Sequence, residues 1–393
     1  MKHYICSGNC GFASGTSGLC WNQKCPKYGE SLAECQNEKN SAENNKTILI
    51  TGGAGFIGSA VLRRLFDKYP NYKFIVLDVL TYSGDVKNIP ENVKNSPNFE
   101  FHYGNIKNQK IVEQLMPLAD IVLHFAAETH VSRSIFDDID FFETDVIGTQ
   151  RIASAALKNK NKIEKFVHIS TSEVYGTAVS EKMDENHPLN PQSPYAAAKA
   201  GADRLIYSYM TTYDLPAVIV RPFNIFGSRQ HLEKLIPRFI TSCILNEPLT
   251  IHGSGESRRD FTYVEDLANA LDIVIHAPAE KVIGEVFNVG SAKDFSVREI
   301  ADLIIRKMNS RKSSELKYTS SHLNVGDRPG QVFRHTADIS KISKVLGWRP
   351  EISFDKGLDL TIDWYLKNDG WWRDKTWMRH VPVQTAGGKT EMH

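Results

Sequence analysis

From Thr47 onward, short apolar runs alternate with longer stretches whose apolar positions recur at helical spacing. The runs TILIT, KFIVLD, FEFHYGNI, ADIVLHFAA, KFVHIST and LPAVIVRPFNIFG read as strands. The stretches Lys107 to Met116, Phe141 to Lys158 and Pro194 to Tyr213 read as helices. Alternation of this kind predicts an α/β fold with a doubly wound parallel sheet, whose ligands sit at the carboxyl ends of the strands. The segments HFAA and STSE fall at such ends.

The first few dozen residues follow another pattern. They lack long apolar runs and hold five of the six cysteines, Cys6, Cys10, Cys20, Cys25 and Cys35, while Cys243 lies in a helical pattern as a small core residue. The pairs Cys6/Cys10 and Cys20/Cys25 suit a small zinc knuckle in a reducing compartment, with His3 or Cys35 as substitute ligands. Their gaps are looser than the usual two-residue spacing, and a redox-sensitive tail is the alternative. The polar segment QNEKNSAENNK marks a linker. The expected division is therefore a Cys-rich segment over 1–36, a linker over 37–46, a main body over 47–380 and a mobile tail over 381–393.

Composition narrows the function. With 393 residues and 41% hydrophobic content the chain fills a sizeable core, and a formal charge of +1 gives no field to recruit nucleic acid or an anionic membrane. No apolar run approaches the roughly 18 residues of a membrane span, and the N-terminus lacks a signal-peptide core, so a cytoplasmic protein is expected. A small anionic ligand fits better. Between the first predicted strand and helix stand Gly52, Gly55 and Gly58: a tight turn, a close backbone approach to a pyrophosphate and a close helix–strand contact. Asp78 ends the next strand, at about the twenty-residue distance of an acid that binds the adenosine ribose. The unit is Rossmann-type, and Asp78 favours NAD over NADP because a carboxylate repels a 2′-phosphate.

Chemistry concentrates between Thr171 and Lys199. In SPYAAAKAGADRL, Tyr195 and Lys199 stand four apart at a predicted helix start and leave the same face. A tyrosine is mostly protonated at neutral pH, its ordinary pKa being about 10, and a neighbouring ammonium with a cationic nicotinamide stabilises the phenolate.

On TGGAGFIGS, HFAAETHVSRSI, STSEVYG, SPYAAAK, RPFNIFG, EKLIPRFI, IHGSGESRRDFTYVEDLANAL, FNVGS and DRPGQ, the chain from about Lys46 to Lys367 resembles an extended short-chain dehydrogenase/reductase acting on nucleotide sugars. LTYSGD, THVSRSI, EKLIP and DRPG are most similar to the dTDP-glucose 4,6-dehydratase branch. The resemblance implies an NAD-binding core over 47–230 and a smaller nucleotide-sugar lobe over 231–380. It implies that Gly52, Gly55, Phe56, Ile57, Gly58, Asp78, Ala126, Tyr195 and Lys199 hold tightly bound, recycled NAD. It places Glu128, Asn224, Lys234, Leu235, His252, Arg259, Asn288 and Arg328 around a nucleotide-diphosphate sugar, with Thr171, Ser172, Glu173, Tyr195 and Lys199 catalytic. A homodimer is implied through helices starting near Phe141 and Pro194.

The implied reaction oxidises C4 of the sugar, removes water across C5 and C6 and returns the hydride to C6. Glu173 is the base at C5. Four positions depart from the branch: Ser172 replaces an Asp, Gln331 a His, His252 a Tyr and Asn105 an Asp. Serine is no acid for departing hydroxide, so either Glu173 serves twice or no hydroxide leaves, as in UDP-glucuronate decarboxylases, which also carry Thr-Ser-Glu. A decarboxylase needs a cation for the hexuronate carboxylate, and Arg221, Arg229 and Arg258 are the spare arginines. A 4-epimerase and a catalytically silent NAD-sensing scaffold are the other readings.

Overall fold

Why the apolar runs become strands is plain from their burial: Ile48, Leu49 and Ile50 are fully buried, as are Phe74 to Leu77 and Ala217 to Val220. Runs buried on both faces suit a parallel sheet covered by helices on each side. The computed structural model describes residues 4–5, 13–14, 31, 33–34, 45–311, 318, 321–327, 329–379, 382–384 and 388–392. The chain divides into two units, residues 1–46 with 71–73 and residues 47–70 with 74–393.

In the first unit, strand Tyr4–Ile5 pairs antiparallel with Ala13–Ser14 and with Ala33–Glu34. His3, Cys6, Cys10, Cys20, Cys25 and Cys35, which carry the zinc expectation, lie outside the described residues.

The second unit opens with β1 (Thr47–Thr51), α1 (Phe56–Lys68), β2 (Lys73–Asp78), β3 (Phe99–Tyr103), α2 (Gln109–Leu115) and β4 (Ile121–His124). It continues through α3 (Val131–Phe136), a π-helical stretch Phe142–Gly148 that runs into α4 (Thr149–Lys158), then β5 (Lys165–Ile169), α5 (Pro194–Tyr213) and β6 (Ala217–Pro222). It adds β7 (Asn224–Phe226), α6 (Leu235–Leu245), β8 (Leu249–His252), β9 (Arg258–Tyr263) and α7 (Val264–His276). It ends with β10 (Val286–Val289), β11 (Asp294–Ser296), α8 (Val297–Ser310), β12 (His322–Val325), β13 (Arg334–His335) and α9 (Phe354–Lys367).

Among the described residues the main sheet has seven strands, in the order β10-β6-β5-β4-β1-β2-β3. The pairs from β1 to β10, and β2 with β3, run parallel. The order reverses at β1 and β4, the switch point at which such sheets bind ligands. The run LPAVIVRPFNIFG makes two strands rather than one: β6 stays in the main sheet, and β7 leaves it to pair with β9. A second core gathers Phe226, Phe239, Cys243, Phe261, Leu358 and Trp372. Cys243 is a buried core residue, as its helical setting suggests. Where the sequence suggests a mobile tail, Pro382–Gln384 pairs antiparallel with Thr390–Met392.

Candidate active site

A cleft of about 460 Å³ opens at the carboxyl ends of β1, β2, β4, β5 and β6. Its floor is the turn from β1 to α1. Gly52 has φ +72°, and a Cβ there would sit 2.7 Å from the Ala126 amide nitrogen. A Cβ on Gly58 would sit 2.3 Å from the Gly52 carbonyl oxygen. Glycine is required on both counts, and the cradle presents the N-terminus of α1 to the cleft. Thr51 ties this turn to β4: its Oγ1 lies 2.7 Å from His124 Nδ1 and accepts from the Ala126 amide at 3.3 Å.

Asp78 closes β2 at the rim. Its carboxylate accepts from the Ala54 amide at 2.9 Å and the Leu80 amide at 2.8 Å, yet burial still raises its pKa. Phe56, Ile57, Gly55 and Asn105 line the same end. This end fits a dinucleotide, with a glycine floor for the pyrophosphate and a carboxylate at the ribose distance.

At the other end, β5 runs into the short 3₁₀ turn Ser172–Tyr175, where Thr171 Oγ1 accepts from the Glu173 amide at 3.2 Å. Opposite stands α5, which Ser193 caps by accepting from the Ala196 amide at 3.2 Å, with Pro194 in the first turn. Tyr195 and Lys199 follow on one face and are both buried. Lys199 Nζ donates to the Ile169 carbonyl at 2.8 Å. Thr171, Ser172, Glu173, Tyr195 and Lys199 therefore converge on one cleft.

Electrostatics modify one expectation. Burial raises the Tyr195 hydroxyl pKa, Asp145 and Glu173 add to this, and only the hydrogen bond with Thr171 opposes them. Lys199 is itself pushed down by burial, against the pull of Asp145 and Asp203. Asp145 projects inward from the π-helical stretch, accepts from the Glu128 amide at 2.8 Å and is raised by burial to about 7. Glu128 is raised to about 7 by burial and by Asp140 and Glu233.

Not every expected residue arrives. Glu128, Asn224, Lys234 and Leu235 line the cleft with Ala126. Three others do not. Asn288 is fully buried, accepting from Tyr175 OH at 2.7 Å and donating to the Met183 carbonyl at 3.0 Å. Arg259 Nη1 donates to the Arg258 carbonyl at 3.0 Å, and His252 ends β8 away from the lining residues. Arg328 lies outside the described residues. Gln331 donates to Ser257 Oγ at 3.2 Å.

The spare arginines are engaged in structure. Arg221 is locked on Asp203 at 2.8 and 2.9 Å, Arg258 pairs with Asp294, and Arg229 stacks on Trp364. Among the described residues no arginine lines the cleft.

Two groups escape sequence reasoning. Glu233, just before the Lys234 of EKLIP, is fully buried within 3.5 to 3.8 Å of His130 Nε2, His231 Nδ1, Arg133 Nε and Lys234 Nζ. Burial pushes its pKa up, but His130, His231 and Lys234 together hold it at about 2. A charged residue at the mouth of an apolar helix was the available signal. The second is His335, behind Ser172 at 3.4 Å.

Comparison with known proteins agrees with this geometry. A family model described as GDP-mannose 4,6 dehydratase matches residues 49–361. The chain is 42% identical over 322 residues to the low-salt glycan biosynthesis protein Agl12 of Haloferax volcanii, across 82% of this chain and 99% of that one. It is 38% identical to a trifunctional UDP-glucose 4,6-dehydratase of Arabidopsis thaliana, across 84% of this chain but 48% of that protein's length. A dTDP-glucose 4,6-dehydratase from Streptomyces venezuelae, crystallised with NAD bound, superposes with a TM-score of 0.77 at 37% identity, across 84% of this chain and 99% of that one.

Proposed function

The chain belongs to the nucleotide-sugar 4,6-dehydratase family of short-chain dehydrogenases, and we propose that it converts a pyrimidine nucleoside diphosphate glucose to the 4-keto-6-deoxy sugar. It is an NAD-dependent lyase. The substrate reading follows the dTDP-glucose and UDP-glucose named for its relatives. The observation that carries it is Glu173, a carboxylate facing the same cleft as Thr171 and Tyr195, which oxidation and re-reduction at C4 alone does not require.

Bound on the glycine cradle, NAD supplies the hydride acceptor for C4 and the hydride donor for C6. In this reading Tyr195 takes the C4 hydroxyl proton while Thr171 orients that hydroxyl and Lys199 holds the nicotinamide ribose. The resulting ketone acidifies C5–H, and Glu173 removes that proton as the C6–O bond breaks. Glu128, Asn224, Lys234 and Leu235 hold the sugar and diphosphate.

A decarboxylase is disfavoured because its candidate cations, Arg221, Arg229 and Arg258, are engaged elsewhere and do not line the described part of the cleft. The test is product mass after incubation with dTDP-glucose, UDP-glucose and UDP-glucuronate in separate tubes. Loss of water from a neutral hexose is expected; loss of carbon dioxide from the glucuronate overturns the assignment.

The proposed homodimer rests on exposed apolar side chains: Ile139, Phe142 and Ile147, and Tyr207 of α5. Phe142→Glu is expected to halve the mass seen in sedimentation; an unchanged mass argues against this interface.

A further inference from the structure

Dehydration needs a proton on the departing C6 oxygen, and Ser172 has no acidity of its own to give one. The structure puts one titratable ring behind it. Ser172 Oγ lies 3.4 Å from Nδ1 of His335, and the same nitrogen lies 3.8 Å from Glu173 Oε1. His335 sits on β13, pairs in register with Arg259 of β9 and is fully buried.

The opposite ring nitrogen fixes the tautomer. His335 Nε2 donates to the Gly176 carbonyl at 2.7 Å. A carbonyl only accepts, so Nε2 carries the hydrogen and the neutral ring turns a bare Nδ1 toward Ser172 and Glu173. Gly176 can hold that carbonyl because it is glycine: its φ is +70°, and a Cβ would fall 2.0 Å from the Asn190 carbonyl oxygen. The turn carrying Ser172 and Glu173 thus ends on the ring that faces them.

The groups facing this ring are Ser172 and Glu173 from the turn after β5, Arg259 from β9, His187 from the loop before α5, and the Phe223 ring edge-on at 6.4 Å. Burial, with Arg259 and His187, lowers its pKa to about 4 against the pull of Glu173 and the Gly176 bond. The resting ring is neutral at neutral pH and able to accept.

We propose that His335 relays a proton between Glu173 and Ser172, so that a serine delivers the proton where relatives place an acid. This rests on the dehydratase reading. The C5–H bond breaks and its proton passes to Glu173. The electron pair becomes the C5–C6 double bond, and the C6–O bond breaks with its pair on oxygen. The proton on Glu173 moves to Nδ1 of His335, and Nδ1–H then donates to Ser172 Oγ as the serine hydroxyl proton goes to the leaving oxygen. Water departs. Glu173 is again a carboxylate, His335 neutral and Ser172 a hydroxyl, so the elimination needs no further reactant; as hydride returns to C6, C5 takes a proton from water and Tyr195 releases to water the one it took from the C4 hydroxyl. The resting separation of 3.8 Å tightens when substrate fills the cleft, as catalytic contacts commonly do.

The test separates the steps. His335→Asn keeps a donor for Gly176 but has no basic nitrogen. In single turnovers, C4 oxidation is read by the absorbance of reduced nicotinamide, C5 exchange by deuterium uptake from heavy water, and elimination by product mass. The expected result is oxidation and exchange near the wild-type rate, with water loss slowed about 10²- to 10⁴-fold, the worth of a positioned acid. Ser172→Asp in the same chain supplies an acid directly and is expected to restore water loss. Ser172→Ala alone, a smaller change to the fold, is expected to slow elimination selectively.

Water loss at the wild-type rate in either single variant overturns the relay. So does a parallel fall of oxidation and elimination that Ser172→Asp leaves unrepaired, the mark of a merely structural histidine. A wild-type enzyme that oxidises C4 but releases no water overturns the dehydratase reading, and the relay with it.

Discussion

In the proposed elimination the neighbours Glu173 and Ser172 have opposite tasks, one taking a proton and the other handing one on. Glu173→Gln keeps the side-chain volume and removes the base. We expect C4 oxidation to survive while C5 exchange and water loss fall about 10²- to 10⁴-fold; retained exchange in heavy water would show that another group is the base. At the cofactor end, Gly52→Val meets the Ala126 amide at 2.7 Å in a left-handed conformation. The purified variant is expected to lose bound NAD, measured after denaturing release. The residues from Thr171 to Lys199 were legible because each lies in a short motif with its own local signal. His335 was not: 163 positions separate it from Ser172, and a histidine in a two-residue strand carries no periodic pattern. Asn288 and Arg259 followed their motifs, but Asn288 bonds to the distant Tyr175 and Met183 and Arg259 to Arg258 outside the cleft lining.

At the scale of elements, α5 positions the chemistry by where it starts. Ser193 caps the turn that carries Tyr195, so Ser193→Ala is expected to cost about 1 kcal/mol in chemical denaturation and to slow C4 oxidation. A variant with unchanged stability would show that Pro194 and tertiary packing suffice. The sequence predicted α5 well because cap, proline and apolar period agree. The stretch Phe141 to Lys158 reads as one ordinary helix, yet it widens into a π-helical turn over Phe142–Gly148. One widened turn barely disturbs an apolar period, so the pattern hides it. Such turns often mark functional sites, and this one carries Asp145 toward Glu128 and Lys199.

Across the whole molecule, the sheet was readable from the alternation of runs, because parallel strands buried on both faces are continuously apolar. The strands outside that sheet were harder. They are short, and β9 joins β7, β11 and β13 from distant parts of the chain. Buried charge links these layers. Asp203 on α5 and Arg221 on β6 are both inaccessible, so Asp203→Asn leaves an uncompensated guanidinium and is expected to cost about 3–5 kcal/mol; a loss below 1 kcal/mol, on the scale of an exposed pair, would contradict that burial. Glu128 gives the pH dependence a sign. Its carboxyl is raised from 4.5 to about 7, so the folded chain binds more protons than the unfolded one in that window. Stability from this group is present below it and is lost as pH rises through it. Glu128→Gln is expected to flatten that decline in thermal unfolding; an unaltered pH slope would show that Glu128 is not its source.

In the proposed reaction one bound NAD carries hydride from C4 to C6 of the same sugar while Glu173 opens the way at C5. It is tested most directly with nucleoside diphosphate glucose carrying deuterium at C4, followed by NMR of the product. The expected product is a 4-keto sugar whose new methyl group at C6 holds the deuterium. Deuterium retained at C4 of an unchanged or epimerised hexose, or a product that has lost carbon dioxide instead of water, would contradict it.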